Sequence, residues 1–316
     1  MLPIQIASLI IIAVFTLLGN VFNAFIVVVN GIGWVKTRHL NSSAIILSAL
    51  GIARFFLQWA ITMERISTVY TLQFFIAFYT IWTFLDFVNV WFAALLCVLY
   101  CTKIANFSHP LFILLKLKFP GVVPWFLLGS LLISLVTSIP TAWVFIKYHN
   151  STTNLSSNSM IYFSIAEDLP KKQSNSTEVI PIYAAYMISI LFLGYTPPLF
   201  IMCVALHLLI RFLCGHTWKM KDNATGYCNP RLEVYFTTIK VMVSFLILSV
   251  LNFIGIIWGI SDLFAKENSW SYITSVVNAA YLSLHSVILI LSNSKLRQIL
   301  VRIFHHAKIV SRGDIT

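Results

Sequence analysis

The amino-acid sequence predicts an all-α fold: a bundle of seven transmembrane helices followed by a short amphipathic C-terminal helix. Two observations carry this prediction. The chain has 316 residues, of which 59% are hydrophobic and only 10% are charged, whereas a soluble domain carries about a quarter charged residues. Charged side chains are also excluded from long stretches. No Asp, Glu, Lys or Arg occurs in residues 1–35, 119–146, 179–210, 241–261 and 268–294.

Each element is placed on one apolar run. A helix needs about 20 apolar residues to cross a hydrocarbon core of ~30 Å, and two further runs qualify with one charge each, 39–63 with Arg54 and 66–102 with Asp86. The expected crossings are residues 5–29, 43–64, 74–101, 122–145, 181–211, 236–260 and 271–292, in a single domain over 1–316. The first run has no basic segment before it, so we expect it to stay in the membrane rather than to be removed as a signal peptide.

Two local features refine this outline. The paired prolines Pro197 and Pro198 remove two backbone donors, which predicts a local opening of the fifth helix. In "KLRQILVRIFHH" the apolar residues recur at helical spacing and basic residues fill the other positions. This pattern predicts an amphipathic helix over 294–306 that lies on the bilayer surface.

The distribution of basic residues predicts the orientation. Fifteen Lys and Arg residues fall in the loops on one side and five on the other. The richer side is expected to be cytoplasmic, which places the N-terminus outside, the C-terminus inside and the protein in the plasma membrane. Residues 147–178 then form a large outer loop, where Asn150, Asn154 and Asn175 head glycosylation sequons. The net charge of +11 is attributed to loops that face anionic lipid, and no nucleic-acid partner is expected.

Two charges lie at membrane depth, Arg54 and Asp86, and each costs about 2.5–3.5 kcal/mol to insert there. One interpretation is a buried pair that only braces the bundle. The other places Asp86 on the wall of an outward-opening cavity, because Trp82, Asp86 and Asn89 share one helical face and combine an aromatic, an acid and an amide. Further buried polar residues are read first as contacts between helices: Asn23, Asn252, Asn278, His285 and Ser286.

Several classes of function are excluded. The seventh helix, 271–292, has no lysine, so no Schiff base to retinal can form there. The chain contains no GxSxG, HExxH or phosphate-binding loop, so we expect neither an enzyme nor a cofactor. None of the five cysteines falls in an expected outer segment, and they show no metal-binding spacing, so neither a disulfide nor a metal site is predicted.

The motifs resemble one known family. "WFAALLCVLYCTKIANFSHPLFILLK", residues 91–116, is similar to the signature that joins the third helix to the second inner loop in the type 2 (bitter) taste receptors, which are G-protein-coupled receptors. "LSALGIARF", "HTWKMKDNATGYCNP" and "HSVILILSNSKLR" resemble the family's second helix, third inner loop and end of the seventh helix. Together with "GNVFNAFIVVVNG", the resemblance covers essentially the whole chain.

The resemblance implies a receptor that binds small bitter molecules in an outward-opening helical pocket and activates a gustducin-type heterotrimeric G protein. Asp86 departs from the family, in which many members have Asn, and a carboxylate there would favour cationic ligands. The residues expected to bind ligand are Trp82, Asp86, Asn89, Asn252, Ser275 and Asn278. Those expected in the polar core or in activation are Asn23, Arg54, Tyr100, Pro198, His285 and Ser286. Those expected to face the G protein are Lys103, His109, Pro110, His216 and Lys240.

Two other functions remain open at this stage. A small-solute transporter or channel would explain the charges at membrane depth, although no pair of interrupted helices recurs in two halves. A pheromone receptor of the vomeronasal type 1 group would share the same architecture.

Overall fold

The computed structural model describes residues 2–38, 41–67, 72–107, 109–163, 176–221, 230–265 and 269–313. These residues form eight helices, and none of them is in a strand. The helices are α1 Leu2–Thr37, α2 Ser42–Ser67, α3 Leu72–Ile104, α4 Pro110–Phe163, α5 Ser176–Lys221, α6 Pro230–Ala265, α7 Ser269–Ser292 and α8 Ser294–Gly313. Seven of them, α1 to α7, are long and apolar enough to cross a membrane, which confirms the predicted fold class.

The helices pack as a bundle around α3. This helix contacts α2, α4, α5 and α6, and it is the most buried of the seven spans. α7 closes the bundle between α1 and α6. We call the end of the bundle that holds α8 the α8 end, and the end that holds the start of α1 the far end.

α4 shows that the outer surface of the bundle is apolar and its inside is partly polar. Trp125, Val136 and Ile139 are exposed on this helix. Ser130, Ser134, Ser138 and Thr141, spaced by one helical turn, are buried on its opposite face. Small polar residues facing neighbouring helices, with large apolar residues facing outward, are typical of a helix surrounded by lipid.

Several helices run beyond the crossings expected from hydropathy, and α4 differs most. It begins at Pro110, so only residues 105–109 separate it from α3, and it continues to Phe163, inside the expected outer loop 147–178. Hydropathy identifies only the apolar part of a helix, which lies in the hydrocarbon core. The backbone can remain helical in the polar sequence on either side of that part. Proline is also favoured as the first residue of a helix, because its missing N–H needs no partner there, and both α4 and α6 begin at one.

The prolines are accommodated without ending the helices. α5 remains helical through Pro197 and Pro198. In α4, Pro124 has no N–H for the carbonyl of Pro120 four residues earlier. The hydroxyl of Ser42, at the start of α2, donates to this Pro120 carbonyl over 3.1 Å. A side chain of α2 therefore replaces the missing backbone bond and ties α2 to α4.

The three expected glycosylation sites differ in what the structure describes. Asn150 is exposed on α4. Asn154 lies on the same helix, where only the backbone is described, and Asn175 lies outside the described residues.

The C-terminal helix α8 confirms the predicted amphipathic element and is longer than expected. Asn293 caps it, because its side-chain Oδ1 accepts from the backbone N–H groups of Lys295 and Leu296 over 3.1 and 3.3 Å. Leu296 is buried against the bundle, whereas Val301 and Phe304 are exposed.

Gly19 marks a point where α1, α2 and α7 approach closely. A Cβ atom added at Gly19 would collide with the amide of Gln58 and the hydroxyl of Ser283, which hydrogen-bond to each other over 3.1 Å. Replacing Gly19 by alanine should therefore push the flexible Gln58 side chain aside and break this bond, which should destabilise the bundle by about 0.5–1.5 kcal/mol. The thermal midpoint of the purified protein measures the effect.

Gly31→Ala is the matched control for this prediction. Gly31 lies on the same helix, and a Cβ atom there meets none of the described residues within 4 Å. The control should unfold at the wild-type temperature or above it. Equal midpoints for the two variants would contradict the close approach at Gly19.

Candidate functional site

A buried carboxylate lies where α3, α5 and α6 meet. Asp86 of α3 accepts a hydrogen bond on Oδ2 from the hydroxyl of Tyr195 of α5. The side-chain amide of Asn252 of α6 donates to Asp86 Oδ1 over 3.4 Å and to the Tyr195 hydroxyl oxygen over 2.8 Å. All three residues are buried, and we call them the Asp86 cluster. It holds an acid, an amide and a phenol together within an apolar bundle.

Aromatic rings surround the Asp86 cluster on two sides. Trp82, one turn before Asp86, packs on Tyr79 with ring centroids 5.1 Å apart, and Tyr79 packs on Phe145 of α4 at 4.9 Å. On the other side, Tyr195 packs on Phe253 of α6 at 4.9 Å. Apolar walls with a few polar anchors are typical of small-molecule pockets.

A second polar group lies between α2, α3 and α7. Arg54 donates through Nε to Asn89 Oδ1 over 2.8 Å and through Nη2 to His285 Nδ1. The side-chain amide of Asn89 also donates to the hydroxyl of Tyr281 over 3.2 Å. Arg54, Asn89 and His285 have no exposed surface, and Tyr281 is buried as well. We call these four residues the Arg54 cluster.

The two charges at membrane depth therefore have different partners. Among the hydrogen bonds of the described residues, none joins Arg54 to Asp86, so the direct pair considered from the sequence is not formed. Asn89, expected beside Asp86 on a cavity wall, is instead bonded to Arg54 and Tyr281. The positions of Asp86 and Asn89 differ by less than one helical turn on α3, so the two clusters are neighbours in depth.

α7 also connects the polar core to α1. The Ser286 hydroxyl donates to Asn23 Oδ1 over 2.7 Å. Ser283 donates to the backbone carbonyl of Phe15 over 2.8 Å. Since Ser286 follows His285, Asn23 of α1 and Arg54 of α2 are bonded to adjacent residues of α7. The arrangement brings together Asn23, Arg54, His285 and Ser286.

The remaining candidate residues of the far half are buried. Ser275 and Asn278 of α7 are 4% and 6% exposed. Asn278 Oδ1 is buried and has no hydrogen-bond partner. Pro198, three residues after Tyr195 on α5, is buried as well.

The α8 end contains an open cavity of about 380 Å³. Residues of α3, α6, α7 and α8 line it, among them Tyr100, Thr237, Val241, Ser292 and Arg297. Of the residues expected to face a G protein, Lys103, His109, Pro110 and Lys240 are exposed at this end. The side chain of His216 lies outside the described residues.

The link between α3 and α4 is tied to the bundle at the same end. Lys116 donates to the backbone carbonyl of Ala105 over 3.0 Å. The ring of Phe107 packs on Phe112 of α4 at 5.1 Å and on Phe212 of α5 at 5.9 Å between centroids. This short segment thus joins three helices at the α8 end.

Sequence reasoning missed two polar residues that complete these clusters, Tyr195 and Tyr281, and it also missed Gln58, which bonds to Ser283 of α7. Each lies in an apolar run, where nothing in the sequence distinguishes it from other side chains that have an apolar body and a polar end. A search for a partner that could satisfy the buried Asp86 carboxylate would have pointed to a phenol or amide on a facing helix. Such a search could not have selected Tyr195, because the sequence of neither helix shows how far α3 is shifted along its axis relative to α5.

Comparisons with known proteins identify the family to which the chain belongs. A sequence model of the family described as "Taste receptor protein (TAS2R)" matches residues 1–308. The chain is 32% identical over 306 residues to Taste receptor type 2 member 40 of Gallus gallus, with 94% of each chain covered. It is 31% identical over 288 residues to Taste receptor type 2 member 39 of Homo sapiens, covering 89% of this chain and 81% of the relative. It is 32% identical over 299 residues to Taste receptor type 2 member 41 of Pongo pygmaeus, with 90% of each covered.

The fold and these similarities define a multi-pass membrane protein of the seven-helix receptor class. The chain belongs to the taste receptor type 2 family, the bitter taste receptors. This is a family of receptors and not of enzymes, and its members in general respond to small molecules and couple to G proteins.

Proposed function

We propose that the protein is a plasma-membrane bitter receptor that binds its agonist between α3, α5, α6 and α7 on the outer side and activates a gustducin-type G protein at the α8 end. The Asp86 cluster carries the proposal, because it places a carboxylate, an amide and a phenol among aromatic walls. Trp82, Ser275 and Asn278 complete the proposed lining. The unpartnered Asn278 Oδ1 can accept a hydrogen bond from a ligand N–H or O–H group.

The proposed orientation has the α8 end in the cytoplasm and the N-terminus outside. It is supported by the excess of Lys and Arg in the segments at the α8 end, since positive charge is retained on the cytoplasmic side. α8 itself carries Lys295, Arg297 and Arg302, which suits contact with anionic headgroups. Asn150, Asn154 and Asn175 would then face the glycosylation machinery.

The proposed activation step is a shift between two packings of the bundle. An agonist that binds the active packing better by about 1–3 kcal/mol raises the ratio of active to inactive packing about 5- to 150-fold. Asn252 belongs to the Asp86 cluster, and Thr237 and Val241 on the same helix line the cavity at the α8 end. α6 therefore contributes residues to both the proposed ligand site and the proposed G-protein site, and a movement of this helix would change both.

A cell assay tests the proposal. Cells that express the receptor, phospholipase C signalling and a gustducin-type α subunit are exposed to a panel of bitter compounds, and calcium release is recorded. At least one compound should raise calcium, and the response should disappear without the α subunit. A receptor that reaches the surface yet responds to none of the panel, or responds equally without the α subunit, would contradict the proposal.

Phe107 offers a prediction specific to the α8 end. Replacing Phe107 by alanine removes its contacts with Phe112 and Phe212 and should loosen the link between α3 and α4. We expect the maximal G-protein response to fall at least threefold, with agonist affinity changed less than twofold. Nucleotide exchange and agonist binding measured on the same membranes separate the two effects.

Phe200→Ala is the matched control, since Phe200 is an exposed aromatic residue on the lipid-facing surface of α5. It should leave the maximal response unchanged. Equal losses in both variants would show that the Phe107 contacts have no specific part in coupling.

A further inference from the structure

Two lysines from different helices meet where the start of α8 lies against the end of α1. Lys295 is in the first turn of α8, and its Nζ atom lies 2.7 Å from the position that a Cβ atom would occupy at Gly33 of α1. The Lys295 ammonium group therefore lies directly on the backbone of α1, in space that a larger residue would fill. Lys36 follows Gly33 by three residues, so its Cβ atom is about 5–6 Å from the same position. The Lys295 ammonium group and the base of the Lys36 side chain are thus within about 9 Å of each other.

A third basic residue lies at the same helix end. Arg38 follows Lys36 by two residues and ends α1, where its backbone N–H donates to the Trp34 carbonyl over 2.7 Å. Arg38, Lys36 and Lys295 are all exposed. Among the described residues, none forms a hydrogen bond or an ion pair with their charged groups. We call these three residues the α1–α8 basic group.

The surrounding helices offer no negative charge to this group. α1 packs on α2 and α7. The described helices α1, α7 and α8 contain no acidic residue, and Glu64, the one acidic residue of α2, lies near the far end of that helix. The negative charge that balances the α1–α8 basic group therefore comes from outside these four helices.

The neighbouring surface of α1 places the basic group at the level of lipid headgroups. Trp34 is 46% exposed, and exposed tryptophans are typical of the boundary between membrane and water. Lys36 lies two residues, about 3 Å, further along the helix. Val28, Ile32 and Val35 are exposed on the same helix, and their spacing of four and three residues puts them on one face. Since Ile32 also precedes Lys36 by one turn, an apolar stripe leads along α1 to the positive charges.

We propose that the α1–α8 basic group binds one phosphoinositide lipid, with its phosphates on Lys295, Lys36 and Arg38 and its acyl chains along the apolar stripe of α1. In the proposed orientation, on which this part rests, the lipid comes from the inner leaflet. The agonist site and the G protein are not needed for binding. The bound lipid would hold the start of α8 against the end of α1.

The charge of the headgroup favours a phosphoinositide over other anionic lipids. A phosphate monoester carries about −1.5 to −2 charges at neutral pH, so a phosphoinositide offers several negative charges to three cations. Phosphatidylserine offers a single net negative charge. Basic pockets between membrane helices on the cytoplasmic side are known to bind phosphoinositide headgroups.

Thermal unfolding of the purified receptor tests the proposal without agonist or G protein. The receptor is placed in phosphatidylcholine nanodiscs that contain increasing fractions of phosphatidylinositol 4,5-bisphosphate, or phosphatidylserine at the same total charge. Because a ligand that binds only the folded state stabilises it, the midpoint should rise by about 2–4 °C or more with the phosphoinositide and then saturate. An equal rise with both lipids, or no rise, would overturn the proposal.

A soluble headgroup distinguishes the lipid from free phosphate. Inositol 1,4,5-trisphosphate, added to the receptor in phosphatidylcholine nanodiscs, lacks acyl chains for the apolar stripe. It should leave the midpoint unchanged at concentrations equal to those of the lipid. A rise as large as that given by the phosphoinositide would show that the group recognises free phosphate, and the lipid proposal would fail.

Removing one charge tests which residues bind the lipid. Native mass spectrometry of the receptor with added phosphatidylinositol 4,5-bisphosphate should show one lipid bound with preference. Lys295→Gln and Lys36→Gln should each lower the affinity about fivefold, the factor that one basic residue contributes near an anionic surface. Lys118→Gln is the matched control, because Lys118 is an exposed lysine at the same end of the bundle but on α4, and it should keep the wild-type affinity. Equal losses in all three variants would indicate diffuse attraction and contradict a site.

Gly33→Ala tests the geometry without changing the charge. The added Cβ atom would displace the flexible end of Lys295 from α1, so lipid affinity should fall about two- to fivefold, up to the effect of removing the charge. Gly31→Ala, whose Cβ atom meets none of the described residues within 4 Å, should bind the lipid as the wild type does. The same affinity in Gly33→Ala and Gly31→Ala would refute the position of the Lys295 ammonium group in the site.

Discussion

Replacing Asp86 by asparagine is expected to reduce the potency of amine agonists by about 10- to 100-fold, because a hydrogen bond to a charged group contributes about 1.5–3 kcal/mol. The side chain keeps its shape, and its amide can still bond to Tyr195 and Asn252. The substitution therefore removes the negative charge with little change in packing. The potency of neutral agonists should fall by less than threefold. Concentration–response curves for calcium release, corrected for the amount of receptor at the cell surface, measure the potency of both classes of agonist.

Thr83→Val controls for a general disturbance of α3. Thr83 is buried on this helix, and its hydroxyl donates only to the Tyr79 carbonyl of its own helix, over 2.9 Å. This variant should leave the potency of both classes of agonist close to wild type. If Asp86→Asn weakened neutral and cationic agonists equally, the carboxylate would have no part in selecting the ligand.

Replacing Gly194 by alanine is expected to give the largest loss of stability from a single added methyl group. A Cβ atom at Gly194 would overlap three atoms of the Phe87 ring, and Phe87 is fully buried with its ring against Tyr195 at 5.7 Å. A rigid ring in a filled core cannot move aside without displacing α3 from α5. We expect a cost of about 1–3 kcal/mol, read as a lower unfolding midpoint and less receptor at the cell surface.

Gly129→Ala is the control for this substitution, because a Cβ atom there meets none of the described residues within 4 Å. Its midpoint should equal or exceed that of the wild type, since alanine favours the helix more than glycine does. A Gly194→Ala midpoint within 1 °C of the Gly129→Ala midpoint would show that α3 and α5 are not in close contact at this level. Since Tyr195 is the next residue, Gly194→Ala should also weaken agonists that use the Asp86 cluster.

The sequence was sufficient for the elements but not for the contacts between them. Five charge-free runs and two runs with a single charge identify all seven crossings, because lipid disfavours charge and the run length follows from the bilayer thickness. The rule that charges at membrane depth face the interior also held for Arg54 and Asp86, which are both buried. The ends of α4 were missed by more than ten residues, since helical backbone continues past the apolar run in both directions.

The partners of the buried polar residues could not be read from the sequence. Asp86 and Tyr195 are 109 positions apart, and Arg54 and His285 are 231 apart. Which of them meet depends on the register and rotation of each helix, and these follow from side-chain packing over the whole bundle. Asn89 illustrates the point: it shares a helical face with Asp86, yet it bonds to Arg54 and Tyr281, because small differences in rotation direct it to other neighbours.

Nucleotide exchange on a purified gustducin-type heterotrimer, with this receptor alone in lipid nanodiscs, is the most direct test of the central claim that a small bitter molecule in the far half of the bundle controls the surface at the α8 end. Agonists from the bitter panel should accelerate exchange, and Asp86→Asn should shift the response to amines to higher concentration without lowering its maximum. An exchange rate that no compound changes, from a receptor shown to be folded by its cooperative unfolding, would contradict the claim.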